Sequence, residues 1–191
     1  MYWGKPITGF GDLHAEILVL GLAPAAHGGN RTGRVFTGDK SAEFLFKCLY
    51  LTKFSNQSTS ENVNDGLILY NIYMSLVLKC VPPNDKPTSE ELSNCFYFLE
   101  EEIKQLKKNK VVLTLGKIAF DSYIKLLNLP KKNFKFTHGN FYKIKEDLTL
   151  IACYHPSPRN VNTGRLNKEM MVNLLRKLRD TVINKKKPHP R

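Results

Sequence analysis

Gly21-Leu22-Ala23-Pro24-Ala25-Ala26-His27-Gly28-Gly29-Asn30-Arg31-Thr32-Gly33-Arg34-Val35-Phe36-Thr37-Gly38-Asp39 is the stretch whose reading decides the fold. It follows the apolar run Ile17-Leu18-Val19-Leu20, which reads as a short buried strand. From Asp39 onward Phe44, Leu45, Cys48 and Leu49 recur at helical spacing. The segment is therefore a long polar loop between the carboxyl end of a strand and the start of a helix, the place where open α/β sheets bind ligands. Glycines 28, 29, 33 and 38 let backbone N–H groups approach an anion or a base closely. Gly28 and Gly33 have the spacing of a P-loop, but Arg34 and Val35 stand where its lysine and hydroxyl residue are required, which argues against a nucleotide-triphosphate site. A ligand-free turn is the bland reading. His27, Asn30, Arg31, Arg34 and Asp39 are too many polar groups for a spacer.

Working outward, residues 2–16 are loop-like, with Trp3 and Phe10 expected to pack on the body. Residues 52–66 are rich in Ser, Asn and Thr and read as an exposed excursion with low structural content. A buried strand is expected near 71–79, closed by Pro82-Pro83. Thr88 and Glu91 are spaced as a capping box opening a helix whose apolar face is Leu92, Cys95, Phe96, Leu99, Ile103 and Leu106. A strand over Val111 to Leu115 is closed by Gly116, and a helix from Lys117 to about Leu127 follows. Phe141–Ile144 and Leu148–Cys153 read as a hairpin-like pair, and a last helix runs from about Leu166 to Ile183. This alternation predicts a three-layer α/β/α sandwich around a central, mostly parallel four-stranded sheet.

With 191 residues the chain fits one domain with a full core, taken as 1–184 with a basic tail at 185–191. A net charge of +12 suggests a polyanionic partner, and +8 remains without Lys185, Lys186, Lys187 and Arg191, so the basic character belongs to the domain. No apolar stretch is long enough to span a membrane and no signal peptide is evident, so a cytoplasmic location is expected. Cysteines 48, 80, 95 and 153 are then expected to be free of disulfides.

A second loop leaves the carboxyl end of a strand: His155-Pro156-Ser157-Pro158-Arg159-Asn160-Val161-Asn162-Thr163-Gly164-Arg165-Leu166. In a parallel sheet the two loops face each other across a cleft. Together with Lys79-Cys80-Val81-Pro82-Pro83-Asn84-Asp85-Lys86-Pro87-Thr88 between them, and in this order, they resemble the uracil-DNA glycosylase superfamily, and in detail its family 5, the type b enzymes. The resemblance covers nearly the whole chain.

That resemblance implies a monomeric, monofunctional enzyme that flips uracil out of double-stranded DNA and hydrolyses its N-glycosidic bond, with hypoxanthine and xanthine as further bases. His155 matches the motif histidine and is expected to donate, neutral, to the base carbonyl, helping backbone N–H groups stabilise the departing anion. Ala23 sits where other members carry a water-activating group, and the family's carboxylate corresponds to Asp39, which is equally suited to capping the helix it begins. The family's water-positioning Asn maps to Asp85, with Asn84 one residue away. Leu76 replaces the amide that reads a pyrimidine edge, which implies looser specificity. Phe36 is placed to stack on the base or to fill the core, and His27 and Asn30 complete the base-binding set. Arg31, Arg34, Arg159, Asn160 and Arg165 are the DNA-contacting candidates, with the second loop entering the minor groove.

Cys80 and Cys95 match two of the four ligands of the family's [4Fe–4S] cluster. The other two form a C-x-x-C pair upstream of the Tyr-Trp-Gly segment, which this chain lacks because it begins at Met1. A cluster is thus expected from the family with an incomplete ligand set here. The rival from another class is a non-catalytic DNA- or RNA-binding protein on the same fold.

Overall fold

The computed structural model describes residues 2–184, so the basic tail expected at 185–191 lies outside the described residues. Six strands are present: β1 (Phe10–Gly11), β2 (Ile17–Gly21), β3 (Ile72–Leu76), β4 (Val111–Leu115), β5 (Phe141–Lys143) and β6 (Thr149–Cys153). They form one sheet in the order β1-β3-β2-β4-β6-β5. The inner four are parallel, and β1 and β5 add antiparallel edges. The expected four-stranded sheet is its centre. β1 escapes sequence reading because its two residues, Phe10 and Gly11, directly after Gly9, have no period to detect.

Every residue of the four inner strands is buried, as parallel strands covered on both faces require. Side chains alternate across the sheet. Ile17, Val19, Ile72, Met74, Val111, Leu113 and Ile151 face one core, with α2 (Lys40–Leu51) and α6 (Lys168–Asn184) packed over it. Leu18, Leu20, Tyr73, Val112, Leu150 and Ala152 face the other, covered by α3 (Ser89–Gln105) and α4 (Lys117–Leu126). The capping box is formed: Glu91 N–H donates to Thr88 Oγ1 at 3.1 Å, and Thr88 N–H donates to the Glu91 carboxylate at 2.7 Å.

Two short helices lie inside the loops: α1 (Gly29–Thr32) in the first and α5 (Pro158–Asn162) in the second. The N-terminal segment lies on the first loop. Trp3 N–H donates to the Asn30 carbonyl at 2.7 Å, and the Trp3 ring sits so close over Gly33 (φ 79°) that a Cβ there would come within 2.7 Å of it. Residues 52–66 are not the loosely structured excursion their composition suggests. Asn56 N–H donates to the Ile68 carbonyl, Ile68 N–H to Asn56 Oδ1, and Ser60 is buried. Among the described residues no helix is long and apolar enough to cross a membrane.

Candidate active site

All four parallel strands end at one edge of the sheet, and the segments leaving them enclose a cavity of about 400 Å³. Ala23, Phe36 and Asp39 come from the loop after β2, Leu76 from the end of β3, Pro82 and Asp85 from the turn beyond it, and His155 from the loop after β6. Sequence reading missed the fourth contribution, Leu115 to Ala119, where β4 passes into α4. Gly116 takes φ 97°, a region that excludes ordinary side chains, and a Cβ there would lie 3.4 Å from His155 Cβ. Its reading as a strand terminator was the available signal: a glycine at a carboxyl strand end in a parallel sheet faces the same cleft as its neighbours.

Phe36 reaches the cavity from a backbone at φ 49°, unusual for an aromatic residue. Its ring lies over Gly21, where a Cβ would come within 2.6 Å of Phe36 and 2.8 Å of Leu76. Gly21 is therefore the residue that lets an aromatic wall and an apolar floor meet. Leu76, 2% exposed, offers no hydrogen bond to a base edge.

Asp39 caps α2 and also lines the cavity. Its Oδ1 accepts from Ala42 N–H at 2.8 Å, capping α2, while Oδ2 lies against Gly28, where a Cβ would come within 2.4 Å. One carboxylate oxygen thus holds the helix and the other faces the loop backbone. Burial pulls the His155 ring below its ordinary pKa, and the charge of Asp39 opposes that shift. The net direction is downward, so the imidazole is neutral near pH 7. Asp85 borders the cavity with φ 55°, following Asn84 at φ 53°. Asn84 does not line it, so a one-residue shift does not bring the amide to the site.

Several expectations are corrected here. His27 is exposed and does not line the cavity; its Nδ1 is hydrogen-bonded to the Tyr2 hydroxyl at 2.6 Å. Asn30 is likewise outside the lining, because the turn of α1 carries it toward Trp3. Arg34 does not face DNA. It is buried, 6% exposed, and its guanidinium forms a two-pronged pair with Asp65 at 3.0 and 2.6 Å. Asn160 donates its side-chain amide to the His155 carbonyl at 2.8 Å, so it braces the loop from within. Arg31, Arg159 and Arg165 are exposed, and Arg165 lies over the Tyr154 ring at 4.5 Å.

The expected iron–sulfur site is also corrected. Cys80 and Cys95 border one small groove, but among the described residues no group of three or more His, Cys, Asp or Glu side chains could hold a metal ion. Burial and the neighbouring Cys95 push the Cys80 thiol up, away from the thiolate a cluster needs. Cys48 and Cys153 are buried in the core, with burial raising Cys48 to about 11. These residues do not fit a [4Fe–4S] cluster or another metal centre.

The fold and the site define an α/β protein with a ligand cavity at the carboxyl edge of its parallel strands, holding a neutral histidine, carboxylates and an aromatic wall. The family model of the uracil DNA glycosylase superfamily matches residues 8–179. Over 176 residues, 92% of this chain and 76% of the relative, the sequence is 46% identical to a type-5 uracil-DNA glycosylase of Pyrobaculum aerophilum. It is 42% identical to one from Thermus thermophilus over 91% of this chain and 79% of that one. A type-4 uracil-DNA glycosylase of Archaeoglobus fulgidus is 28% identical over 79% of this chain and 70% of its own length. The chain belongs to the uracil DNA glycosylase superfamily, within its type-5 group.

Proposed function

We propose that this chain is a monofunctional DNA repair glycosylase that hydrolyses the N-glycosidic bond of uracil in double-stranded DNA and leaves an abasic site. The observation that carries the reading is the convergence of Asp39, His155, Phe36 and Leu76 on one cavity of about 400 Å³. A base turned out of the duplex stacks on Phe36 above Leu76. The neutral His155 donates a hydrogen bond to its carbonyl, and as the glycosidic bond breaks that bond strengthens on the developing anion. Asp39 Oδ2 orients and deprotonates the attacking water, a role Ala23 has no polar atom to take, while Asp85 borders the same space. Lys117 also lines the cavity, with its ammonium paired to Asp121 at 2.5 Å, and we assign it no nucleophilic role, so the strand stays intact.

The apolar floor reads no pyrimidine-specific edge, which supports excision of hypoxanthine and xanthine as well. Duplexes carrying one uracil, hypoxanthine or xanthine, incubated with the protein and then treated with alkali, test this. Alkali-dependent cleavage at uracil is expected, with slower cleavage at the two purines. Cleavage at none of the three would contradict the assignment.

Arg31, Arg159 and Arg165 are exposed on the two segments that leave the carboxyl ends of β2 and β6, which supports placing the second loop in the minor groove of a bound duplex. Neutralising all three should flatten the dependence of log K on log salt by about 0.9 for each phosphate that is no longer neutralised. Titrations of a fluorescent duplex at several salt concentrations measure this slope. An unchanged slope would move the DNA surface elsewhere.

A further inference from the structure

The reaction loop is gripped by residues that never reach the cavity. Arg34 Nε donates to Thr37 Oγ1 at 3.0 Å, and its Nη2 donates to Ser60 Oγ at 2.9 Å as well as to Asp65. The hydroxyls of Thr37 and Ser60 are 2.7 Å apart, and Gly38 N–H donates to the Ser60 carbonyl at 2.8 Å. Burial pushes the Asp65 carboxyl up, but Arg34 and the N–H groups of Glu61, Leu67 and Asn62 outweigh it and hold it well below the usual carboxylate range. Among the described residues no buried side-chain nitrogen or oxygen is left without a partner, so this network is closed.

The placement of the grip matters. Thr37 and Gly38 lie between Phe36 and Asp39, the two loop residues that face the base and the water. The backbone there runs through two left-handed positions, Phe36 at φ 49° and Gly38 at φ 76°. A path of that kind persists only where its surroundings over-determine it. Arg34 and Ser60 hold this path through the Thr37 hydroxyl and the Gly38 N–H, and Asp65 in turn holds the Arg34 guanidinium. The short loop 34–39 cannot shift without breaking several of these bonds together.

We propose that Asp65 and Ser60, carried on the polar segment after α2, are positioning residues for excision, fixing Phe36 and Asp39 through Arg34, Thr37 and Gly38. The inference rests on the assignment of Asp39 and Phe36 above. A misplacement of about 1 Å in a reacting group can cost ~10²-fold in rate. Asp65→Asn keeps the shape of the side chain and removes the charge that faces Arg34. Ser60→Ala is a milder second variant that removes the hydroxyl but keeps the carbonyl that binds Gly38.

The test is single-turnover excision of uracil from a duplex, with affinity for the abasic-product duplex measured in parallel, both well below each variant's melting temperature. Asp65→Asn is expected to lower the rate by about 10- to 100-fold and Ser60→Ala by about 3- to 10-fold, with affinity within about twofold of wild type. A merely structural role would lower thermal stability and leave the rate of folded protein unchanged. Wild-type rates in both variants, or equal losses of rate and affinity, would overturn the proposal. An inactive wild-type protein would instead overturn the glycosylase assignment, so the two failures are distinguishable. Should Asp65→Asn not fold, Ser60→Ala alone decides.

Discussion

Asp39→Asn lowers the single-turnover rate of uracil excision by about 10²- to 10⁴-fold, the span that a positioned general base contributes. Stability should barely move. Asn caps helices about as well as Asp, so the hydrogen bond from Ala42 N–H survives while the basic carboxylate oxygen facing Gly28 is lost. Thermal melting and rapid-quench excision on the same preparation separate these two functions of one side chain. Asp85→Asn serves as the contrast, because it keeps a polar group at the cavity edge and returns the residue type that the family motif carries. It should retain wild-type activity or exceed it. If Asp85→Asn abolished excision and Asp39→Asn left it intact, Asp85 would be the base.

His155→Ala should cost about 10²- to 10³-fold in the same assay, the scale of losing one donor to a developing anion. Duplex affinity should change little, since the ring lines the cavity, which the exposed Arg31, Arg159 and Arg165 do not. The pH profile supplies a second measure. Because burial depresses the His155 pKa below 6.5, the ring is already neutral above that value. Its contribution as a neutral donor should therefore stay level from about pH 6.5 to 8. A rate that falls through this window, and a His155→Ala variant that lacks the fall, would mean that the imidazolium does the work.

Both predictions concern residues legible in the sequence, and the reason is local. Asp39 and His155 each directly follow a glycine-rich loop or a buried strand, and an inner strand of a parallel sheet announces itself by an unbroken apolar run such as Ile17-Leu18-Val19-Leu20. The family resemblance places Leu76 and Ala23, and the fold brings them to the cavity because they lie at or just beyond the carboxyl ends of β3 and β2. What could not be read depends on neighbours distant along the chain. Arg34 looks like a DNA-facing cation until Asp65, 31 residues later, is found against it. The polarity of 52–66 has the same origin: its Ser and Asp side chains serve a buried guanidinium, whereas composition alone suggests solvent.

His27 and Asn30 share the loop with Asp39 but lie outside the cavity lining, around α1, a single helical turn too short to leave a periodic signal. The Leu115–Ala119 wall carries a single signal in the sequence, Gly116 at a strand end, and becomes a cavity lining once the sheet order places β4 between β2 and β6. Cys80 and Cys95, paired by the family resemblance, do border one groove, yet two thiols do not make a metal site among the described residues.

The most direct test of the central claim is the quantity of free uracil released from a duplex containing one deoxyuridine by excess wild-type protein, followed by chromatography alongside strand integrity. One equivalent of free uracil is expected per duplex, matched by one alkali-labile site, with no strand break before alkali. Protein that binds this duplex yet releases no uracil would contradict the account and leave a nucleic-acid-binding module on a glycosylase fold.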